Sequence, residues 1–382
     1  MNSFRYWMPV EIVFGAGSLD TLGEQVKPYG RKPLIVTGQH SARASGALSR
    51  VLAQCPEAVV FEGVAENPTE RQCDEGAGHC RSSGCDCVVA IGGGSAMDAA
   101  KAIAGLARNP EPCAHYLATG SFEQPPLPIV AIPTTAGTGS ETTPYAVIVD
   151  SNARCKRTIR GLFPSLALLD PVLAAHMPRH VTVNTGLDAL SQAMEGLVSK
   201  RATPLGDELA LAVCRIVREW LPRSADEPDN LEARGWMLYA AMLSGCVIAQ
   251  SGTTLVHGMG YYFTLHFGVA HGLANALLLI PLFQYNAQAD PGKVAAIAAA
   301  LGCPADPSPD SAREAVTEAL RNLFRRLRLS EAARDAGVEE SALRRFAEDI
   351  VPDRSRFRNQ PGDPSLEDIH GFFLRAFTGS RE

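Results

Sequence analysis

Two short segments of this 382-residue chain have the residue types and spacing to hold a phosphate-bearing ligand. Ile91-Gly92-Gly93-Gly94-Ser95 directly follows the apolar run Cys87 to Ile91 and directly precedes a segment with helical spacing. Glycines there let backbone N–H groups approach a pyrophosphate, and the helix dipole stabilises its charge. By itself such a run also fits a plain tight turn. The second segment, Pro133-Thr134-Thr135-Ala136-Gly137-Thr138-Gly139-Ser140-Glu141, again follows a strand-like run and offers four hydroxyls with two glycines. Two such loops at strand ends suggest a dinucleotide, although neither a G-x-G-x-x-G fingerprint nor the Lys-Ser/Thr pair of a P-loop is present. A third cluster, Cys73, Cys80, Cys85 and Cys87 around His79, has gaps of six, four and one residue, which do not match the paired knuckles of structural zinc sites. These cysteines read as reduced thiols in a reducing compartment.

The elements that must carry these loops follow from composition and periodicity. Hydrophobic residues at 46% and charged residues at 20% describe an ordinary globular protein, long enough for two packed units. A balance of 35 basic against 41 acidic residues, with no run of five basic residues, excludes a phosphate-backbone footprint, so no nucleic-acid partner is expected. The N-terminus lacks a signal-peptide pattern and no stretch of about eighteen apolar residues occurs, which predicts a cytoplasmic protein without a membrane partner.

Over roughly the first 180 residues, strand-like runs at Leu34 to Thr37, Ala58 to Phe61, Cys87 to Ile91, Pro128 to Ile132, Tyr145 to Val149 and Leu166 to Leu169 alternate with helical segments, among them Ser41 to Leu52 and Ser95 to Leu106. Ser95 reads as the N-cap of the latter. After Pro178 strands stop, and helices are expected over Gly186 to Ser199, Gly206 to Trp220, Asn230 to Gln250, His271 to Gln288, Ser311 to Leu327, Glu339 to Val351 and Leu366 to Phe377, with loops over Pro304 to Pro309 and Phe357 to Pro364. The prediction is an α/β dinucleotide-binding domain over residues 1–179 and an all-helical domain over 180–382.

The ordered motifs Phe14-Gly15-Ala16-Gly17, Asn67-Pro68-Thr69, Gly92 to Lys101, Pro133 to Glu141, Asp170-Pro171, Thr185 to Leu190, His271 to Ala276 and a looser Asn359-Gln360-Pro361 together resemble the iron-containing (group III) alcohol dehydrogenases over almost the whole chain. The resemblance implies the dehydroquinate synthase-like fold, a homodimer, and a cleft between the two domains for nicotinamide, metal and substrate. Carried over by position, Gly93, Gly94 and Ser95 hold the pyrophosphate, Thr134, Thr135 and Thr138 the adenine and ribose side, and Asp98 and Lys156 the nicotinamide side.

The implied metal set is Asp188, Gln192, His257 and His271, around Fe2+ or Zn2+. Asp188 and Gln192 are four apart and share a helix face, while the two histidines must converge from other elements. Gln192 stands where the family has an imidazole; its amide is equally neutral but a poorer ligand for late first-row metals. Tyr261 stands where relatives often have a proton-relaying histidine, so Tyr261, His266 and the ligand His271 are the catalytic candidates. His40, His79, His115, His180 and His370 carry no motif.

The chemistry implied is metal-assisted hydride transfer between nicotinamide C4 and the carbonyl carbon of a small aldehyde. Thr37-Gly38-Gln39 ends the first strand where NAD-preferring relatives commonly place an acid, so a 2′-phosphate is not repelled; Gly38, Ser41 and Arg43 lie where one would sit, and both NADH and NADPH remain open. Competing readings are a metal-independent reductase of the maleylacetate reductase type, a reductase of a phosphonate or carboxylate aldehyde, a dehydroquinate synthase-like lyase, and an inactive nucleotide-binding protein. Arg160, Arg201 and Arg358 are candidates for an anionic substrate, though solvated surface is the simpler place for each.

Overall fold

The structure, a computed structural model, describes residues 3–39, 41–304 and 308–379; His40 and the middle of the loop expected over Pro304 to Pro309 lie outside them. Two compact units form. Of the described residues, the α/β unit takes those of Trp7–Pro178 together with Pro228–Gly245; the helical unit takes those up to Tyr6, Arg179–Glu227 and those from Cys246 onward. The single cut expected at 179/180 is therefore crossed twice more, by the N-terminal segment and by one long helix whose first two thirds group with the α/β unit.

In the α/β unit the strands are β1 (Glu11–Phe14), β2 (Pro33–Gly38), β3 (Val59–Val64), β4 (Cys87–Gly92), β5 (Ile129–Pro133), β6 (Ala146–Asp150), β7 (Cys155–Ile159) and β8 (Leu166–Leu169). Between them run α1 (Leu22–Gln25), α2 (Ser41–Ala44), α3 (Ala47–Gln54), α4 (Glu70–Ser82), α5 (Gly94–Leu106) and α6 (Cys113–Thr119), with α7 (Pro171–Ala174) after β8. Six strands form one parallel sheet in the order β1-β8-β5-β4-β2-β3, and β6 pairs β7 in a separate antiparallel hairpin. Every residue of β4 is buried, as expected for a central strand covered on both faces, so it reads as a continuous apolar run. One face packs α4, α5 and α6 through Cys73, Cys80, Ile103 and Tyr116; the other packs α3 and the N-terminal turns through Leu19, Leu48 and Val51. The chain runs outward from β2 to β3, then returns to the other side of β2 as β4 and continues outward through β5. This reversal makes the carboxyl ends of β2 and β4 the crevice where doubly wound sheets bind ligands.

Several local expectations change. Ser41 to Leu52 is two helices, because Gly46 takes a left-handed φ of 75° between them. Gly93, not Ser95, caps α5; Ser95 lies inside the helix. Strands β1 and β7 and helices α1, α4, α6 and α7 have no counterpart among the expected elements. For α4, low hydrophobicity and two internal glycines mask the period, yet Thr69 and Gln72 form a capping box that was legible as Thr-x-x-Gln.

The helical unit comprises α8 (Arg179–Val198), α9 (Pro204–Asp226), the end of α10 (Leu231–Ser251), α11 (Leu255–Phe267), α12 (His271–Asn286), α13 (Pro291–Ala300), α14 (Pro309–Arg326), α15 (Leu343–Ile350) and α16 (Leu366–Thr378). Helices α8 and α12 are buried nearly all round and pack on one another, the pattern of core helices. Neither α11 nor α13 was anticipated; Gly258 and Gly260 lower the intrinsic helicity of α11, which tertiary packing overrides. Among the described residues, no single helix is long and apolar enough to cross a membrane.

Candidate functional site

In the helical unit, three helices bring together side chains that lie far apart in sequence. Asp188 on α8, His257 on α11 and His271 at the start of α12 place ligand atoms within 4.8 Å of one another. His257 Nε2 lies 3.4 Å and His271 Nε2 3.9 Å from the same Asp188 Oδ1, and the two imidazoles stand edge to face at 5.3 Å. The convergence depends on Gly272: a Cβ there would come within 1.8 Å of the Asn184 carbonyl oxygen on α8, so only glycine lets α12 approach α8 this closely.

Two residues to which the sequence reading gave no role fix this geometry. Glu195, fully buried one turn beyond Gln192, accepts from Thr254 N at 2.8 Å, Thr254 Oγ1 at 2.8 Å and His257 N at 3.3 Å through one oxygen, and from His257 Nδ1 through the other. A carboxylate on Nδ1 holds the proton there and turns Nε2 toward Asp188, the usual support of a metal-binding imidazole. Asn275, one turn along α12 from His271, donates to Asp188 Oδ1 at 2.9 Å and contacts His271 Nε2 at 3.2 Å. The signals were present: Glu195 is a carboxylate on an otherwise buried helix face, and Asn275 lies within the motif that His271 opens. The His257 Nε2 atom is buried and has no hydrogen-bond partner among the described residues.

Burial pulls the His257 imidazole down, but Glu195 and Asp188 outweigh it and push it up to about 10. Burial likewise raises Asp188, and the His271 and His257 rings more than offset this, holding it below the ordinary carboxylate range. An anionic cluster that gathers protons onto imidazole nitrogens is the metal-free counterpart of a cation site. One carboxylate and two imidazoles within ligand distance, with a supported tautomer, fit a divalent transition-metal ion.

Gln192 is buried on α8, and its Nε2 lies 3.4 Å from Asp188 Oδ2. Tyr261 stacks on His271 with ring centroids 5.2 Å apart and an angle of 14°. His266 is not brought to this cluster. Nine residues beyond His257, it is exposed on the opposite face of α11 and packs on Tyr262 and on Phe346 of α15. Burial and the neighbouring Arg345 lower its pKa. Arg160, Arg201 and Arg358 are exposed, and the cysteines around His79 form no ion-holding group among the described residues.

In the α/β unit the glycine and threonine loops meet. A Cβ on Gly93 would lie 3.3 Å from Thr135 and one on Gly94 2.7 Å from Thr138, so the glycines both free the backbone N–H groups and let the loops close on each other. The Thr134 N–H bonds the Gly92 carbonyl at 3.1 Å. Ser95 Oγ accepts from Asn67 N at 3.3 Å, which ties the Asn67-Pro68-Thr69 turn to the cradle. Such a loop pair at the sheet's switch point fits a dinucleotide.

Below the loops, Asp98 accepts from Ser140 Oγ at 2.7 Å and Val147 N at 3.0 Å. Lys101, buried and likewise without an assigned role in the sequence reading, donates to Ser140 Oγ at 2.8 Å, Tyr145 O at 2.8 Å and Thr143 O at 3.0 Å. Burial pulls this ammonium down to about 8 and raises Asp98; Lys101, together with Lys156 on β7, counters the rise in Asp98. Gly38 ends β2 and Ser41 opens α2, both at the switch point.

Comparisons with known proteins cover both units. The model of iron-containing alcohol dehydrogenases matches residues 9–171, and that of the C-terminal part of the same family matches residues 182–377. The NAD-dependent methanol dehydrogenase of Bacillus methanolicus is 32% identical over 372 residues, covering 96% of this chain and 97% of its own. A crystal structure of a 1,3-propanediol oxidoreductase superposes with a TM-score of 0.93 at 31% identity, over 98% of this chain and 100% of that one. The sulfoacetaldehyde reductase of Bifidobacterium kashiwanohense, solved in complex with NAD+, gives 0.90 at 30% identity over the full length of both chains.

Proposed function

The chain belongs to the iron-containing alcohol dehydrogenase family and is an NAD-dependent oxidoreductase of alcohols and aldehydes; from that premise we propose how its own residues perform the reaction. The observation that carries the proposal is the convergence of Asp188, His257 and His271. These three would hold one divalent cation, with Gln192 beside them: its Nε2 lies on Asp188, so its carbonyl oxygen is the atom it can offer. When bound, the cation supplies Lewis acidity toward the substrate oxygen and the nicotinamide exchanges the hydride.

The protein's part is to position and to exclude water. Glu195 and Asn275 keep His257 and Asp188 aimed at one point, so little reorganisation is required when the carbonyl oxygen arrives. Tyr261, stacked on His271, places a phenol beside the cluster, and we assign it proton delivery to the developing alkoxide in place of His266. Backbone N–H groups of Gly93 to Ser95 take the pyrophosphate, Thr134, Thr135 and Thr138 line the same loop pair, and the Lys101–Ser140 chain holds Asp98 with Lys156 toward the nicotinamide. Short aliphatic alcohols and aldehydes are the proposed substrates, in keeping with relatives named for methanol and 1,3-propanediol. The outer edge of β1, which pairs with no further strand among the described residues, supports a homodimer.

Anaerobic purification, removal of metal with a chelator, and reloading with Fe2+ or Zn2+ test the mechanism while nicotinamide absorbance follows turnover of short aldehydes. Activity is expected to vanish on stripping and return on reloading, and the more active ion identifies the metal. Undiminished turnover in stripped protein or in Asp188→Ala refutes the metal-dependent mechanism.

A further inference from the structure

Beside the crevice at the ends of β2 and β4 lies an ion pair between two segments that are not adjacent in the chain. Thr37 and Ile91 stand opposite each other in β2 and β4, so Gly38 and Gly92 leave the sheet about 5 Å apart. The residue after the β4 strand opens the pyrophosphate cradle; the residues after β2 therefore reach the part of a dinucleotide one strand away, its adenosine ribose. No carboxylate ends β2, where Thr37-Gly38-Gln39 stands. One arrives instead from the neighbouring strand. Glu62 on β3 takes a forked pair of bonds from Arg43 on α2, Nε to Oε1 at 2.6 Å and Nη2 to Oε2 at 2.5 Å. Both side chains remain open to solvent, Arg43 at 64% and Glu62 at 29%.

Resting on the dinucleotide reading of these loops, we propose that the Glu62–Arg43 pair discriminates between cofactors: Glu62 supplies from β3 the acid that β2 lacks, and by occupying Arg43 denies the site a cation for a 2′-phosphate. Arg43 is the natural ligand of such a phosphate, since a guanidinium fork matches phosphate as well as it matches carboxylate. The two anions compete for one fork. A phosphate dianion entering beside Glu62 also meets its negative charge, whereas a ribose diol meets an acceptor. The Arg43 hydrogen bonds hold Glu62 below the ordinary carboxylate range, so it stays ionised in any working buffer.

Calorimetric titration of the full-length protein with NAD+, NADP+ and 2′-phospho-AMP separates the possibilities without recourse to turnover. Wild type is expected to bind NAD+ more tightly than NADP+. In Glu62→Gln the Kd for NADP+ and for 2′-phospho-AMP should fall about tenfold, equal to about 1.4 kcal/mol, while that for NAD+ moves less than about threefold. Adding Arg43→Gln to that variant should erase the gain. Neither substitution touches the core, so folding is retained, and circular dichroism confirms it. Binding of both dinucleotides with an NADP+ to NAD+ ratio unmoved by Glu62→Gln, a gain that survives Arg43→Gln, or a wild type that prefers NADP+ each overturns the inference alone. Failure of both dinucleotides to bind wild type overturns the loop assignment and the inference with it.

Discussion

Replacing Glu195 by glutamine changes one atom and reverses a proton. The carboxylate serves three donors with Oε1 and His257 Nδ1 with Oε2. An amide must choose which end its NH2 faces. Turning it toward Thr254 and His257 N would orphan two buried backbone N–H groups at about 1–3 kcal/mol each, so the amide oxygen stays there and the NH2 faces Nδ1. Nδ1 must then accept, so the ring keeps its proton on Nε2, the nitrogen that faces Asp188 at 3.4 Å. Ligation now requires the ring to return its proton to Nδ1 and give up that bond. Loss of such a support weakens metal binding by about 10- to 100-fold, or about 1.4–2.8 kcal/mol, and Glu195→Gln should fall in this range. The assay is titration of metal-free protein with Zn2+ against a competing chelator, with near- and far-ultraviolet circular dichroism to show that the fold persists. A folded Glu195→Gln variant whose Zn2+ affinity stays within about twofold of wild type would refute the tautomer argument.

Three further outcomes follow from the same geometry. Gln192→His puts an imidazole on the α8 face that carries Asp188 and should tighten Zn2+ binding at least about tenfold in the chelator competition; unchanged affinity would place residue 192 outside the cation's reach. Gly94→Ala drives a Cβ to 2.7 Å from Thr138, prying the two loops apart, so NAD+ affinity should drop about tenfold by calorimetry while Zn2+ affinity stays put. Burial raises the Glu141 carboxyl from 4.5 to about 7, and an acid whose folded pKa is raised loses stability as pH climbs from its unfolded to its folded value. Glu141→Gln lacks this loss, so its melting temperature should gain on wild type between pH 5 and about 7.5 and hold that gain above; a gap that does not vary with pH contradicts the buried-carboxyl account.

Much of the α/β unit was legible because its information is local. β4 and β8 are buried on both faces and therefore write continuous apolar runs, and the glycine cradle follows β4 in sequence as it does in space. Elements whose burial depends on partners were harder to see. β1 is a short edge strand, and α11 carries glycines that only make sense once Gly260 is seen to give way to Asn275. Ser95 reads as a cap because serine before a helical run usually is one; the cap lies two residues earlier, at Gly93, where a glycine cradle needs it.

The sequence by itself determined the family, the two glycine- and threonine-bearing loops that meet after β4 and β5, and Asp188, His257 and His271 as a candidate ligand set, since residue type and order carry those. It could not determine which way His257 faces, because that is set by Glu195 sixty-two positions away. Nor could it show that Arg43, in reach of a 2′-phosphate by sequence position, is already engaged by Glu62 from the next strand, or that His266 turns its back on the cluster that Tyr261 joins. Each of these is a pairing between segments distant in the chain. Which donor meets which acceptor is decided by how helices and strands pack, and the close packing of α12 on α8 at Gly272 helps turn three separated helices into one site.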